Sequence, residues 1–165
     1  MKLSREKLFE YIQSAVYAAV TFLFLYAFLW PVSIEGVSME PALESGDRVF
    51  ISRVLCMAGF YNKGDIVVLR AHYDPDKKYI VKRIAALPGD KVMVENGKIF
   101  INGEEVTSDY VNGNLDITLG GEEYFVLGDN REHSLDSRSF GPLNKNDIEG
   151  KIILRWYPFN SIRGY

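Results

Sequence analysis

Between Glu10 and Glu35 the chain carries no charge for 24 residues, Tyr11 through Ile34. From Ala15 to Trp30 the only polar groups are Thr21 and the hydroxyls of Tyr17 and Tyr26. As an α-helix this run would extend roughly 36 Å, more than a ~30 Å hydrocarbon layer requires. Trp30 and Pro31 close it, and tryptophan suits the headgroup boundary. Lys2, Arg5 and Lys7 precede it, which predicts a cytoplasmic amino terminus and a domain on the far side of the membrane. A cleaved secretory leader would have a shorter apolar core and a small-x-small cleavage site, and Pro31-Val32-Ser33-Ile34-Glu35 is a poor one. A buried core helix is the other alternative, but a small domain would struggle to cover so long an uncharged run. The expected layout is a cytoplasmic segment at 1–10, a transmembrane anchor at 11–34 and an extracytoplasmic domain at 35–165.

The whole chain has 165 residues, enough for one modest domain. Nineteen Lys and Arg against 22 Asp and Glu give a net charge of −3, with no local basic cluster. That excludes the electrostatic footprint of a nucleic-acid binder. A single cysteine, Cys56, excludes an intrachain disulfide framework and a cysteine-built zinc site. Two histidines, His72 and His133, leave little room for a histidine metal centre. The sequence therefore implies no metal, no cofactor and no nucleic-acid partner.

Beyond Glu35 the pattern reads as β. Asp47–Val54, Asp65–Ala71, Tyr79–Ala86, Lys91–Glu95, Lys98–Ile101, Glu123–Leu127 and Lys151–Tyr157 are apolar or alternating segments bounded by turn residues. Asn96-Gly97 between two of them is a type I′ hairpin signal, and Asn102-Gly103 precedes another extended stretch. Residues 109–121 are polar and rich in Gly and Asn, expected as a surface loop or hairpin. No amphipathic helix is expected after the anchor. The predicted class is mainly β: one amino-terminal transmembrane helix followed by an antiparallel, partly closed barrel-like domain. One stretch, Leu55-Cys56-Met57-Ala58-Gly59-Phe60, is apolar without being a strand. It either folds into the core or dips into the membrane surface beside the anchor.

Three features could carry chemistry. Gly36-Val37-Ser38-Met39-Glu40-Pro41-Ala42-Leu43 sits just past the anchor, although Ser38 alone reads as a turn residue. In an extended Tyr79–Ala86 the side chains of Ile80, Lys82 and Ile84 share a face, while Val81 and Arg83 take the other. An inward lysine either snorkels at a strand edge or is desolvated, which favours its neutral form and makes it a usable base. Gly128 to Arg138 holds Asp129, Arg131, His133, Ser134, Asp136 and Arg138. It fails the calcium-loop pattern, and its acids have arginine neighbours, unlike a pair of catalytic carboxylates. If extended, it would put Ser134, Asp136 and Arg138 on one face. Cys56 has no nearby cation to activate it. His133 could act as a base but reads as a surface histidine.

Together, Ser38-Met39-Glu40-Pro41, Gly46-Asp47-Arg48-Val49, Lys82 to Asp90 and Gly128 to Arg138 resemble, in order, the boxes of bacterial type I signal peptidases. The anchor immediately before the serine also matches, and the resemblance covers nearly the whole chain. The short stretch between Lys82 and Gly128 is similar to the compact, single-anchor Gram-positive form.

The resemblance implies a Ser-Lys endopeptidase that removes signal peptides at the outer membrane face, cutting after small residues at P1 and P3. Ser38 would be the nucleophile and Lys82 the general base. Ser134 would orient the lysine, and Asp129–Arg83 and Asp136–Arg138 would be supporting ion pairs. The Ser38 amide would donate to the oxyanion. Gly36 stands where some relatives carry a serine hydroxyl, leaving the second donor open, and Ala42 stands where threonine is usual. Ile34, Val37 and Ile84 are the expected pocket walls. The implied partners are preproteins with signal peptides and the phospholipid membrane, close to the secretion translocon. The competing readings are a tethered, non-catalytic β-module and other Ser-Lys proteases: self-cleaving repressors, an organelle inner-membrane enzyme, or a secretion-pilus peptidase.

Overall fold

The computed structural model describes residues 5–72, 78–106 and 114–165. Helix α1 (Arg5–Phe28) is followed by strands β1 (Trp30–Ser33) and β2 (Arg48–Ser52), and by a short helix α2 (Arg53–Met57). Strands β3 (Ile66–Arg70), β4 (Tyr79–Ala86), β5 (Lys91–Glu95), β6 (Lys98–Ile101), β7 (Glu104–Glu105), β8 (Leu115–Thr118) and β9 (Glu123–Leu127) come next. The short helix α3 (Ser137–Phe140) and strands β10 (Leu143–Asn144), β11 (Ile148–Tyr157) and β12 (Arg163–Gly164) complete the chain.

Helix α1 has exposed side chains from Arg5 to Tyr26 and is long and apolar enough to cross a membrane. Its limits differ from the uncharged run: among the described residues it runs from Arg5 to Phe28, and Trp30–Ser33 forms β1. Pro31 explains the stop. It lacks an amide and disfavours helical geometry in the residue before it. Strand β2 then takes β1 as an antiparallel neighbour, Trp30 opposite Ile51 and Ser33 opposite Arg48.

The main sheet runs in the order β1-β2-β11-β3-β4-β9-β10, with β12 added to β11. Every pairing in it is antiparallel. Its edge strands β1 and β10 do not pair, so the barrel is not closed. A second sheet, β7-β6-β5-β8, forms an arm. Asn96 and Gly97 (φ 52° and 78°) make the tight turn joining β5 to β6, and Asn102 and Gly103 (φ 53° and 87°) repeat it before β7. Within the polar 109–121 segment, Leu115–Thr118 is strand β8, paired with β5, while residues 109–113 lie outside the described residues.

The arm leaves and returns at one place. Gly89 N–H donates to the Leu119 carbonyl (3.0 Å), and Leu119 N–H donates to that of Asp90 (2.9 Å). Its apolar face, including Val92, Ile99 and Ile101, packs on Ala86, Phe125 and Leu127 of the main sheet. Asp90 secures the base: its carboxylate accepts from Leu87 N–H (2.7 Å) and Asn102 Nδ2 (2.6 Å) and pairs with Lys63 (3.0 Å). Burial alone would raise this carboxyl, but those three donors hold it below the usual carboxylate range.

The apolar stretch at 55–60 does two things. Residues 53–57 form α2, capped by the Ser52 hydroxyl accepting from Leu55 N–H. Cys56 turns into the core, where burial pushes its thiol up, whereas Met57 and Phe60 face outward, 82% and 66% exposed.

Candidate active site

Ser38 lies in the turn between β1 and β2. That turn is held by Glu40 N–H to the Val37 carbonyl and Leu43 N–H to the Met39 carbonyl. Met39 and Leu43, 1% and 0% exposed, sink it into the core beneath β2 and β3. From outside, the Ala42 carbonyl accepts from Tyr165 Oη (2.7 Å) and Arg155 Nη1 (3.3 Å). Arg155 also pairs with Asp47 (2.9 Å), whose hydrogen bond keeps the guanidinium above its usual range against the opposing effect of burial.

Strand β4 delivers the lysine. Its alternation puts Lys82 on the face shared with Ile80 and Ile84, and Lys82 is 3% exposed. Lys82 Nζ donates to Ser38 Oγ at 2.8 Å, across 44 positions of sequence. On the opposite face Arg83 forms a two-bond fork with Asp129, Nε to Oδ1 at 2.8 Å and Nη2 to Oδ2 at 2.6 Å. That fork raises the guanidinium's pKa, again against burial. The expected Asp129–Arg83 partners are thus in contact.

The 128–138 segment packs against the serine turn. Asn130 binds it twice, N–H to the Ser38 carbonyl (3.1 Å) and Nδ2 to the Val37 carbonyl (3.2 Å). Gly128 is pressed so close that a Cβ there would lie 2.1 Å from Ser134 Oγ and 2.6 Å from the Ser38 carbonyl oxygen. Asp136, fully buried, accepts from Gly128 N–H (2.9 Å) and from Arg138 Nε (2.7 Å). Arg138 Nη2 donates to the carbonyl of Arg131 (2.7 Å), tying the segment together.

The structure corrects three expectations. The segment is not extended: Arg131–His133 is a 3₁₀ turn, and Asp136 caps α3 by accepting from Arg138 N–H, so Ser134, Asp136 and Arg138 do not line one strand face. Ser134 Oγ is buried without a hydrogen-bond partner among the described residues, so its expected bond to Lys82 is not formed. Ile84 lies in the core with Tyr61, Val67 and Val126, because the sheet face that is open at Lys82 is covered by the level of Ile84.

A cleft of about 210 Å³ opens over Ser38 and Lys82. Residues 34–39 line one side, including the expected Ile34 and Val37, and Tyr79–Lys82 line the other, with His133 and Leu135 at the rim. Strand β4 pairs with β3 along Tyr79–Arg83, but with β9 only from Arg83 onward. Among the described residues, the cleft-side edge of Tyr79–Lys82 therefore carries no strand. The sequence reading missed Met39, Tyr79, Val81, Leu135 and Asn130. The last was within reach, since it lies inside the Gly128–Arg138 box. The free edge of β4 depends on where β9 ends.

Gly36 adopts φ +92°, a conformation in which a serine side chain would be strained. His133 is exposed, with Nδ1 3.2 Å from Asn130 Oδ1. No cluster of three metal-capable side chains occurs among the described residues.

The family described as signal peptidase, peptidase S26, matches residues 8–157. Signal peptidase I of Bacillus licheniformis is 35% identical over 178 residues, covering 96% of this chain and 94% of that protein. Signal peptidase IB of Staphylococcus aureus is 33% identical over 183 residues, again covering 96% and 94%. A solved signal peptidase I from Enterococcus faecalis V583 aligns at 25% identity with a TM-score of 0.46, covering 55% of this chain and 94% of that one.

Proposed function

The chain belongs to the S26 signal peptidases, and on that premise we propose that it cuts signal peptides from preproteins with Ser38 as nucleophile and Lys82 as general base. The observation that carries this reading is the 2.8 Å contact between Lys82 Nζ and Ser38 Oγ on the floor of the cleft. A serine hydroxyl is a weak nucleophile until a neighbouring base takes its proton. A neutral amine can do so, and burial of Lys82 favours the neutral amine by penalising the ammonium.

The steps follow from these two groups. As Ser38 Oγ attacks the scissile carbonyl carbon, its proton passes to Lys82 Nζ. The resulting ammonium protonates the departing amine as the C–N bond breaks, leaving an ester on Ser38 and a neutral lysine. Water then attacks the ester, Lys82 takes its proton, and return of that proton to Oγ releases the signal peptide as a carboxylic acid. The oxyanion needs donors in place beforehand. The Ser38 amide suits that task, as it makes no backbone hydrogen bond among the described residues. Gly36 brings no side-chain donor.

Supporting roles follow from the contacts. Asp129–Arg83 fixes the back of β4 and Asp136–Arg138 fixes the 128–138 segment, so both hold Lys82 and Ser38 in register.

The free edge of β4 suits an extended substrate backbone, which would add as a strand and read the cleft through alternate side chains. Ile34 and Val37 line the cleft with apolar side chains, which suits small apolar residues at P1 and P3. Helix α1 would anchor the enzyme with its basic amino-terminal residues on the cytoplasmic side, and the domain would meet preproteins emerging beside the translocon.

The test is cleavage of an exported precursor in lipid vesicles by wild type and by folded Ser38→Ala and Lys82→Ala. Turnover by wild type alone supports the dyad. Equal turnover by all three would remove it. A precursor with Phe in place of the small P1 residue should be cut poorly, and equal cutting would remove the proposed specificity.

A further inference from the structure

Register in the first two strands fixes where α2 lies relative to the anchor. Strand β1 leaves α1 with Trp30 nearest the helix and Ser33 farthest from it. Strand β2 runs back, so Ile51 lies opposite Trp30. The chain then continues in the same direction through Ser52 into α2 (Arg53–Met57), beyond the level of Trp30 on the anchor side. Helix α2 accordingly lies next to α1. Arg53 reaches back, its guanidinium 4.9 Å from the Trp30 ring centroid.

We infer that α2 and the turn after it form a second membrane contact, in which Met57 and Phe60 enter the acyl-chain boundary of the bilayer that α1 crosses. The inference rests on the reading of α1 as a membrane span. It accounts for the outward face of an apolar segment whose one core residue is Cys56: Met57 and Phe60 are among the most exposed large side chains outside α1. Tryptophan marks the interface depth of a span, so a segment lying past Trp30 and beside α1 is at or below headgroup level. Two cations sit where phosphates would be. Arg53 stacks on Trp30, and Lys145 Nζ reaches Gly59, where a Cβ would lie 3.0 Å from it. Both have stems long enough to keep the charge among headgroups while their carbons lie along apolar groups. The arrangement is an apolar wedge bordered by basic side chains, matched to a phospholipid surface.

With the anchor as one point of attachment and this wedge as another, the domain would lose rotation about the Leu29 junction. The cleft would keep one orientation toward the membrane surface.

Nitroxide depth measurement on the full chain in phospholipid vesicles tests this, in a Cys56→Ala background with single cysteines introduced as Met57→Cys, Phe60→Cys, Leu23→Cys and Glu104→Cys. The labels at 57 and 60 should be shielded from an aqueous nickel chelate and exposed to oxygen, approaching the label at 23 and unlike that at 104 on the arm. Labels at 57 and 60 as open to the chelate as that at 104, with 23 still shielded, would overturn the wedge and leave the span intact. A label at 23 that is also open to the chelate would overturn the span, and the wedge with it. If Cys56→Ala does not fold, brominated-lipid quenching of Phe60→Trp measured against the wild-type tryptophans gives the same reading: added quenchable emission supports insertion, and added emission that is not quenched overturns it.

Discussion

Lys82 Nζ, on a strand that is otherwise part of the core, donates to Ser38 Oγ at 2.8 Å while only 3% of the residue is exposed. Lysine and methionine have similar shapes, so Lys82→Met should keep the fold and remove the base. The expected result is an unchanged or higher melting temperature with turnover lower by about 10²–10⁴-fold. Turnover near wild type in a folded Lys82→Met protein would exclude the lysine as base.

The amine works as a base only when neutral, which fixes the sign of the pH profile. Turnover should rise with pH as Lys82 loses its proton and then level off, and His133→Gln should leave the rise in place. A profile flat from about pH 6 to pH 10 would contradict the assignment.

Gly128→Ala places a methyl group against Ser134 and the Ser38 carbonyl, and the carbonyl cannot retreat without moving the nucleophile. Turnover should collapse even where the protein still folds. Gly121→Ala meets nothing within 4 Å and serves as the control. Equal activity of the two variants would show that the packing at Gly128 does not matter.

Asp136 is fully buried between Gly128 N–H and the Arg138 guanidinium. Removing one partner of a buried pair leaves the other charge uncompensated, so Asp136→Ala should cost about 3 kcal/mol of stability. Urea unfolding would measure it, and a loss below about 1 kcal/mol would mean the pair is effectively solvated.

Asp90 gives the stability a pH dependence at the acid end. Its folded pKa lies below the unfolded value, so its contribution is full above about pH 4 and is lost as pH falls through the folded value. Asp90→Asn should therefore be less stable than wild type by about 1.5 kcal/mol at pH 7, and the gap should close in acid. A gap independent of pH would trace the effect to packing.

Much of this was readable in the sequence because local rules decided it. Alternation alone put Lys82 inward with Ile80 and Arg83 outward, and Asn96-Gly97 can do little but turn. The strand order was not readable, because β11 comes late in the chain yet inserts between β2 and β3, a pairing set by tertiary packing. The same limit explains Ile84. Period two tells which face a side chain takes, not whether that face is open to the cleft or covered by Tyr61 and Leu143. At the end of the anchor, the absence of charge could not separate membrane from strand, since the uncharged Trp30–Ser33 belongs to the sheet. Residues 115–118 read as surface loop or hairpin because their burial is one-sided and their partner, β5, is itself in the arm.

The arm formed by β5 to β8 begins and ends at adjoining backbone hydrogen bonds between Gly89, Asp90 and Leu119. Chain length between those points is thereby uncoupled from the spacing of Lys82 and Asp129. Residues could be added in the arm beyond that base without changing the distance between the reactive groups. Shortening the arm at its base would instead uncover Phe125 and Leu127. The far part of the arm is where this scaffold can accept novelty, and the base is where it cannot.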